Sequence, residues 1–216
     1  MKNASTSVVE RLVEAAVQLF SHQGFRATTT RQIARLADVN ETSLFRHFAH
    51  KQDLFWAALE SRLRRLRIPR ELQSGLAQDN APELVLPLII EFLVLTAMYQ
   101  PDLTRLVWVS LVELRTDSER IYRRQLDPIF QAINDYVEHC VARGTLRSLD
   151  ASLTTIALTA TILAHQELYS VLGHNSQTYA KTEEAITAYS KFWLGALTPV
   201  PDANHLSQQP PAERGG

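Results

Sequence analysis

The sequence is poor in the residues that would tie a chain together covalently or through a metal. Its single cysteine, Cys140, excludes an intrachain disulfide and any Cys-rich zinc site. Glycine is scarce, seven in 216 residues, and no Asn-Gly or Asp-Gly pair joins alternating apolar runs. The hairpin signature of a β fold is therefore missing. There is no glycine-rich phosphate loop, no nucleophile elbow and no recognisable metal-binding pair motif. His165 and Glu167 are two residues apart, so they do not share a helix face. His139 and Cys140 are adjacent, about 100° apart on a helix, which makes Cys140 a buried structural residue and not an activated thiol. An enzyme is not expected, nor a cofactor or metal. The first residues, Met1 to Thr6, are polar and lack the apolar stretch of a signal peptide. The most apolar run, Leu84 to Tyr99, holds Pro87 and Glu91 and is shorter than the ~20 residues of a membrane span. It is expected to be a buried helix, with no membrane partner and a cytoplasmic location.

The small net charge of −1 conceals two opposite regions. Residues 1–70 carry twelve Lys and Arg against six Asp and Glu, a net of +6, leaving −7 for the rest. A basic head on an acidic body points to two tasks in one chain.

Helical periodicity runs nearly throughout. Val8, Leu12, Ala15, Ala16, Leu19 and Phe20 recur at three- and four-residue steps, and Gly24 is the expected stop. Thr28, Thr29 and Thr30 offer N-caps for a short helix with Ile33, Ala34 and Leu36. Ala37-Asp38-Val39 reads as a tight turn, and Asn40 as the N-cap of a third helix with Leu44 and Phe48. A fourth runs from Lys51 to about Leu66, before Pro69. Residues 70–80 read as a connector. Further helices are expected at 82–99, 102–115, 118–143 (kinked at Pro128), 150–172 and 178–198. The fold class is all-α with about nine helices. The expected organisation is a helix-turn-helix domain at 1–50, a linking helix at 51–70, a larger helical domain at 71–198 and a disordered tail at 199–216.

Two short helices joined by a tight turn and laid on a longer first helix form a helix-turn-helix. Ile33, Ala34, Val39, Leu44 and Phe48 lock the pair. Thr29, Arg31, Glu41, Thr42, Ser43, Arg46 and His47 are left to face outward. In such a unit the second helix enters the DNA major groove while its neighbours hold phosphate.

From Ala15 to about Leu59 the sequence resembles the tetracycline-repressor (TetR) family of bacterial regulators. The matching residues are Ala16, Leu19-Phe20, Gly24-Phe25, Thr29-Thr30, Ile33-Ala34, Ala37-Asp38-Val39, Ser43 to Phe48, Lys51 and Leu54. The resemblance implies that Thr29 and Arg31 lie near phosphate and the groove edge. It puts Glu41, Thr42 and Ser43 at the start of the recognition helix, Phe45, Arg46 and His47 on its next turn, and Lys51 on a phosphate. Phe45 stands where the family usually has Tyr, losing a hydroxyl for phosphate. Asp38 stands where the family usually has Gly, and Asp is among the residues that accept a left-handed turn. Glu41 either accepts from a cytosine amino group or, as the favoured alternative, sits well with the helix dipole. Arg62, Arg64, Arg65, Arg67 and Arg70 point in several directions and read as a solvated face more than a phosphate stripe.

In the larger domain, Phe92, Tyr99, Trp108, Tyr122 and Tyr169 are candidate walls of a ligand site, with Glu113, His165 and Gln166 as polar anchors. The same aromatics would serve a helical core. The last two helices carry broad apolar faces: Leu153, Ile156, Ala157, Ala160, Leu163, Ala164, Leu168 and Val171 on one, and Ile186, Ala188, Tyr189, Phe192, Trp193, Ala196 and Leu197 on the other. By the resemblance they form a homodimer interface. The expected function is a ligand-responsive homodimeric repressor. It would bind a palindromic DNA operator and be released by a small apolar or amphipathic effector. Two alternatives stand beside it. One is a regulator whose body binds a protein partner. The other is a helical enzyme with a vestigial DNA-binding head.

Overall fold

A computed structural model describes residues 7–114, 127–172 and 182–199, with the side chains of 127, 166 and 169–172 left aside. Among the described residues the chain is all-helical. Its ten helices are α1 (Val8–Ala27), α2 (Thr30–Leu36), α3 (Glu41–His47), α4 (Lys51–Leu63), α5 (Arg70–Ala77), α6 (Pro82–Tyr99), α7 (Pro101–Glu113), α8 (Asp127–Ala142), α9 (Ala151–Leu172) and α10 (Thr182–Leu197).

The start of α1 is fixed by a reciprocal cap, in which the Ser7 hydroxyl accepts from the Glu10 N–H and the Glu10 carboxylate accepts from the Ser7 N–H. Gly24 does not end α1 but breaks it, at φ 81° and ψ 174°, and one further turn follows to Ala27. Thr29 caps α2 and Asn40 caps α3, as their sequence positions predict. Asp38 takes the left-handed conformation at φ 54°, so the turn forms without glycine.

The head has its own core. Leu12, Ala16, Phe20, Ile33, Ala34, Leu44, Leu54, Phe55 and Leu59 are buried in one cluster. Phe20, Phe25 and Phe55 meet with ring centroids 5.2–5.7 Å apart. Leu103, Leu106 and Leu114, from α7 and the residue after it, complete the same cluster. The head core therefore recruits a helix that lies more than 30 residues beyond the linking helix in sequence.

Helix α6 is the axis of the second core. Val85, Leu86, Ile89 and Ile90 are buried there with Ile133, Tyr136, Val137, Leu158, Ile162 and Trp193. By length and hydropathy α6 would suit a membrane, but half of it is buried by its neighbours. Cys140 is fully buried in this core.

Two expectations need correction. Residues 70–80 are not a simple connector. Arg70–Ala77 form α5, with Leu72 and Gly75 buried against α6. A Cβ on Gly75 would stand 3.2 Å from Val85 Cγ2, so the missing side chain is what lets the two helices approach. Helix α4 ends at Leu63, about three residues early. Pro128 lies in α8, whose described residues begin at Asp127. The expected 118–126 portion of that helix, and the 178–181 start of the last one, lie outside the described residues, as does the tail from residue 200.

The Arg62 guanidinium belongs to the structure of the head. It is 8% exposed, donates to Glu14 and lies 4.0 Å from Asp102 of α7. Arg65 also lies within 3.8 Å of Glu14, and Arg64 pairs with Glu60 on its own helix. The hydrogen bond from Arg62 holds the Glu14 carboxyl below the usual carboxylate range. A carboxyl lowered on folding stabilises above its unfolded pKa, and the gain disappears as pH falls through the folded value. Glu14→Gln is expected to cost about 1 kcal/mol at pH 7, discounted because Glu14 is largely exposed. Thermal melting should then show a loss of about 2–4 °C at pH 7. That difference should close as the pH falls below the usual carboxylate range and wild-type Glu14 also protonates.

Candidate nucleic-acid interface

Helices α2 and α3 are each seven residues long, too short to persist alone. Packing and caps hold them. Ile33 and Leu44 are fully buried beneath them. Thr29 Oγ1 accepts from the Gln32 N–H and Asn40 Oδ1 from the Ser43 N–H at 2.6 Å. Thr30 Oγ1 donates to Glu41 Oε1 at 2.6 Å, which ties the start of α2 to the start of α3. The sequence reading missed this bond, because nothing in the spacing of residues 30 and 41 announces it.

The predicted contact residues then separate into two groups. Arg31, Thr42, Phe45, Arg46 and His47 are exposed. Arg31 and Arg46 have no carboxylate partner among the described residues, so their guanidinium forks are available to phosphate or a base edge. Phe45 is 49% exposed, an unusual place for a large apolar ring unless something covers it. Thr29, Glu41 and Lys51 are already engaged through their side chains, and Ser43 through its backbone N–H. Thr29 is spent on its cap, Glu41 on Thr30, and the Ser43 backbone on Asn40.

Lys51 is the most committed of them. Its ammonium donates to the Phe25 and Thr28 carbonyls, each at 2.8 Å, and lies 4.2 Å from the Phe25 ring centroid. Burial lowers its pKa, while the Glu113 charge works in the opposite sense. One of its three N–H donors is left for an outside acceptor.

The expected ligand residues are dispersed. Phe92 is buried in the body core. Tyr99, at the end of α6, is 73% exposed. Trp108, on α7, is half-buried, and its indole N–H is buried with no acceptor among the described residues. His165 of α9 is hydrogen-bonded to the Tyr189 hydroxyl of α10 at 2.6 Å, and burial lowers its pKa. Glu113 faces the head, where its carboxylate accepts from the Phe25 and Arg26 N–H groups. Tyr122 and the side chains of Gln166 and Tyr169 lie outside the described residues. An open cleft of about 360 Å³ lies elsewhere, between the end of α8 and the start of α9, lined by Glu138, Val141, Ala142, Leu149, Asp150, Ala151 and Ser152.

A basic head with two exposed arginines, neither paired to a carboxylate among the described residues, around a capped helix-turn-helix is an arrangement suited to a phosphate backbone. Residues 12–58 match the family model described as bacterial regulatory proteins, tetR family. The HTH-type transcriptional regulator YvkB of Bacillus subtilis (strain 168) is 48% identical over 50 residues, which cover 23% of this chain and 26% of YvkB. The HTH-type regulator SrpR of Pseudomonas putida is 28% identical over 143 residues, 63% of this chain and 62% of SrpR. The chain thus spans about a quarter of one of these relatives and less than two thirds of the other. The fold extends further than the sequence likeness. The crystal structure of AibR in complex with isovaleryl coenzyme A and operator DNA superposes with a TM-score of 0.66, covering 89% of this chain and 99% of AibR at 14% identity.

Proposed function

We propose that the chain is a homodimeric transcriptional repressor, released from its operator by a small apolar or amphipathic molecule. The observation that carries the DNA-binding half is the exposed, carboxylate-free pair Arg31 and Arg46, on two capped helices whose inner faces are locked by Ile33 and Leu44. Arg46 and His47 grip phosphate, Thr42 reads a base edge, and the Phe45 ring meets a thymine methyl. Thr29, Asn40 and Glu41 set the two helices in place, the Ser43 hydroxyl is left to the base edges beside Thr42, and Lys51 offers its remaining N–H to phosphate. The chain is a cytoplasmic regulator and not an enzyme.

The homodimer rests on α9 and α10. Leu153 (66% exposed), Ile156 (60%), Leu168 and Phe192 (63%) are the large apolar side chains these helices leave to solvent. Ala160, Ala188, Gly195 and Ala196 are exposed beside them and permit close helix approach. The inward residues of the same helices, Leu158, Ile162, Trp193 and Leu197, fill the chain's own core. Each helix is thus apolar on two sides, and one side remains for a twin. A two-fold dimer then presents two recognition helices to a palindrome.

The effector half rests on the body. Phe92, Trp108 and His165 are the expected ligand residues that lie on its inner helices, and the Trp108 N–H is a buried donor in need of an acceptor. The choice of effector is prompted by AibR, a protein of similar fold whose crystal structure is of a complex with isovaleryl coenzyme A and operator DNA. The body proper comprises residues 71–198, with 1–50 as the head and 51–70 as the link, although α7 packs on both. An effector releases DNA only if it binds the free state more tightly, and a tenfold difference corresponds to about 1.4 kcal/mol. Mobility-shift titration of isovaleryl coenzyme A and longer acyl-coenzyme A esters against the protein–DNA complex tests this. The expected result is release by at least one ester in a saturable manner. Tight ester binding that leaves the complex intact would contradict the repressor reading.

A further inference from the structure

The break in α1 at Gly24 has a chemical partner on a distant helix. At φ 81° Gly24 turns the chain out of the helix, so the N–H groups of the following turn lose their partners within α1. Glu113, at the end of α7, supplies them. Its Oε2 accepts from the Arg26 N–H at 2.8 Å and its Oε1 from the Phe25 N–H at 3.3 Å. A Cβ at position 24 would stand 2.7 Å from Glu113 Oε1, so glycine is needed for the carboxylate to enter as well as for the positive φ. On the carbonyl side of the same turn, the Lys51 ammonium binds the Phe25 and Thr28 oxygens. The turn is thereby gripped from both ends with matched polarity: a carboxylate on its N–H groups, an ammonium on its C=O groups. Thr28, fully buried, closes it with a 2.7 Å bond from its hydroxyl to the Gly24 carbonyl.

We infer that Glu113 is a positioning residue for DNA binding: from α7 it holds the Gly24–Thr28 turn against Lys51, and so sets the entry of α2 and, through the Thr30–Glu41 bond, the orientation of α3. This rests on the DNA-binding reading above. It also gives Glu113 a task other than anchoring a ligand, for both its carboxylate oxygens are spent on the head. Because α7 also carries Trp108, whatever shifts α7 within the body moves the negative jaw of the clamp.

The test uses the full chain and a duplex enriched by the wild-type protein from a random library. Glu113→Ala should weaken binding to that duplex by about tenfold or more, the scale of hydrogen bonds to a charged group. Since Glu113 touches no phosphate, the dependence of affinity on salt should keep its wild-type slope. Glu113→Gln keeps one acceptor and should recover part of the loss. In nitrogen-15 NMR spectra of the DNA-free protein, the Phe25 and Arg26 amide protons should move upfield in Glu113→Ala, a change that a general loss of stability would not localise. Affinity of Glu113→Ala within twofold of wild type, or unmoved Phe25 and Arg26 signals, would overturn the inference. Should Glu113→Ala not fold, the same two readings on Glu113→Gln decide it. Wild-type protein that enriches no sequence would instead contradict the DNA-binding reading, and the inference with it.

Discussion

Replacing Arg46 by alanine is expected to lower DNA affinity by about 10- to 100-fold, the loss of one charge-assisted contact. It should reduce the slope of log affinity against log salt by about one. Arg31→Ala should behave similarly. Both side chains are exposed and meet no carboxylate among the described residues, so removing either one should leave the folded head unchanged. The expectation for Lys51→Ala differs in kind. Its ammonium is bound to two backbone carbonyls inside the head, so its loss should lower the melting temperature as well as DNA affinity. Fluorescence anisotropy at four or more salt concentrations, beside thermal melting, separates the two behaviours. An unchanged salt slope in Arg46→Ala would remove Arg46 from the phosphate contacts.

The second large effect belongs to the outer face of α9 and α10. Phe192→Asp, or Ile156→Asp, places a carboxylate where an apolar side chain stands exposed on the single chain and would be buried between twins. Light scattering should report a dimer for wild type and a monomer for either variant at micromolar concentration. The folded monomer should persist, because neither side chain belongs to the chain's own core. DNA affinity should fall about 10²- to 10⁴-fold, since two linked heads bind one palindrome far more tightly than one head binds half of it. Variants that remain dimeric would move the interface elsewhere on the body.

The head was the most legible part of the sequence, for physical reasons. Its contacts are local, its caps are Thr29 and Asn40 at recognisable positions, and its apolar spacing has the helical period. Asp38 shows how far such reading goes, because its left-handed turn follows from the residue type. What sequence could not supply was the partnership between distant groups. Glu113 meets Phe25 and Arg26 across 88 and 87 residues, and no spacing rule links them. Lys51 carries a charge suited to phosphate, yet the fold turns it inward. Helix α5 escaped because it is eight residues long and contains Gly75, a poor helix former that here serves a close contact with α6. Arg62 is the converse case. A dense run of arginines looked solvated, but one of them is buried in an ion pair with Glu14 that joins α4 to α1.

The opposite charges of the two regions acquire a structural meaning. The basic head offers Arg31, Arg46 and His47 outward, while Arg62 and Lys51 are consumed in holding it together. Fewer charges are left for an outside partner than the +6 of residues 1–70 suggests.

Selection of duplex DNA from a random library by the wild-type protein, followed by footprinting, tests the central claim most directly. The account predicts a palindromic site with half-sites one helical turn, about 10–10.5 base pairs, or a multiple of it apart, occupied by two copies of the chain. Enrichment of an unsymmetrical site bound by one copy, or of no sequence at all, would contradict it.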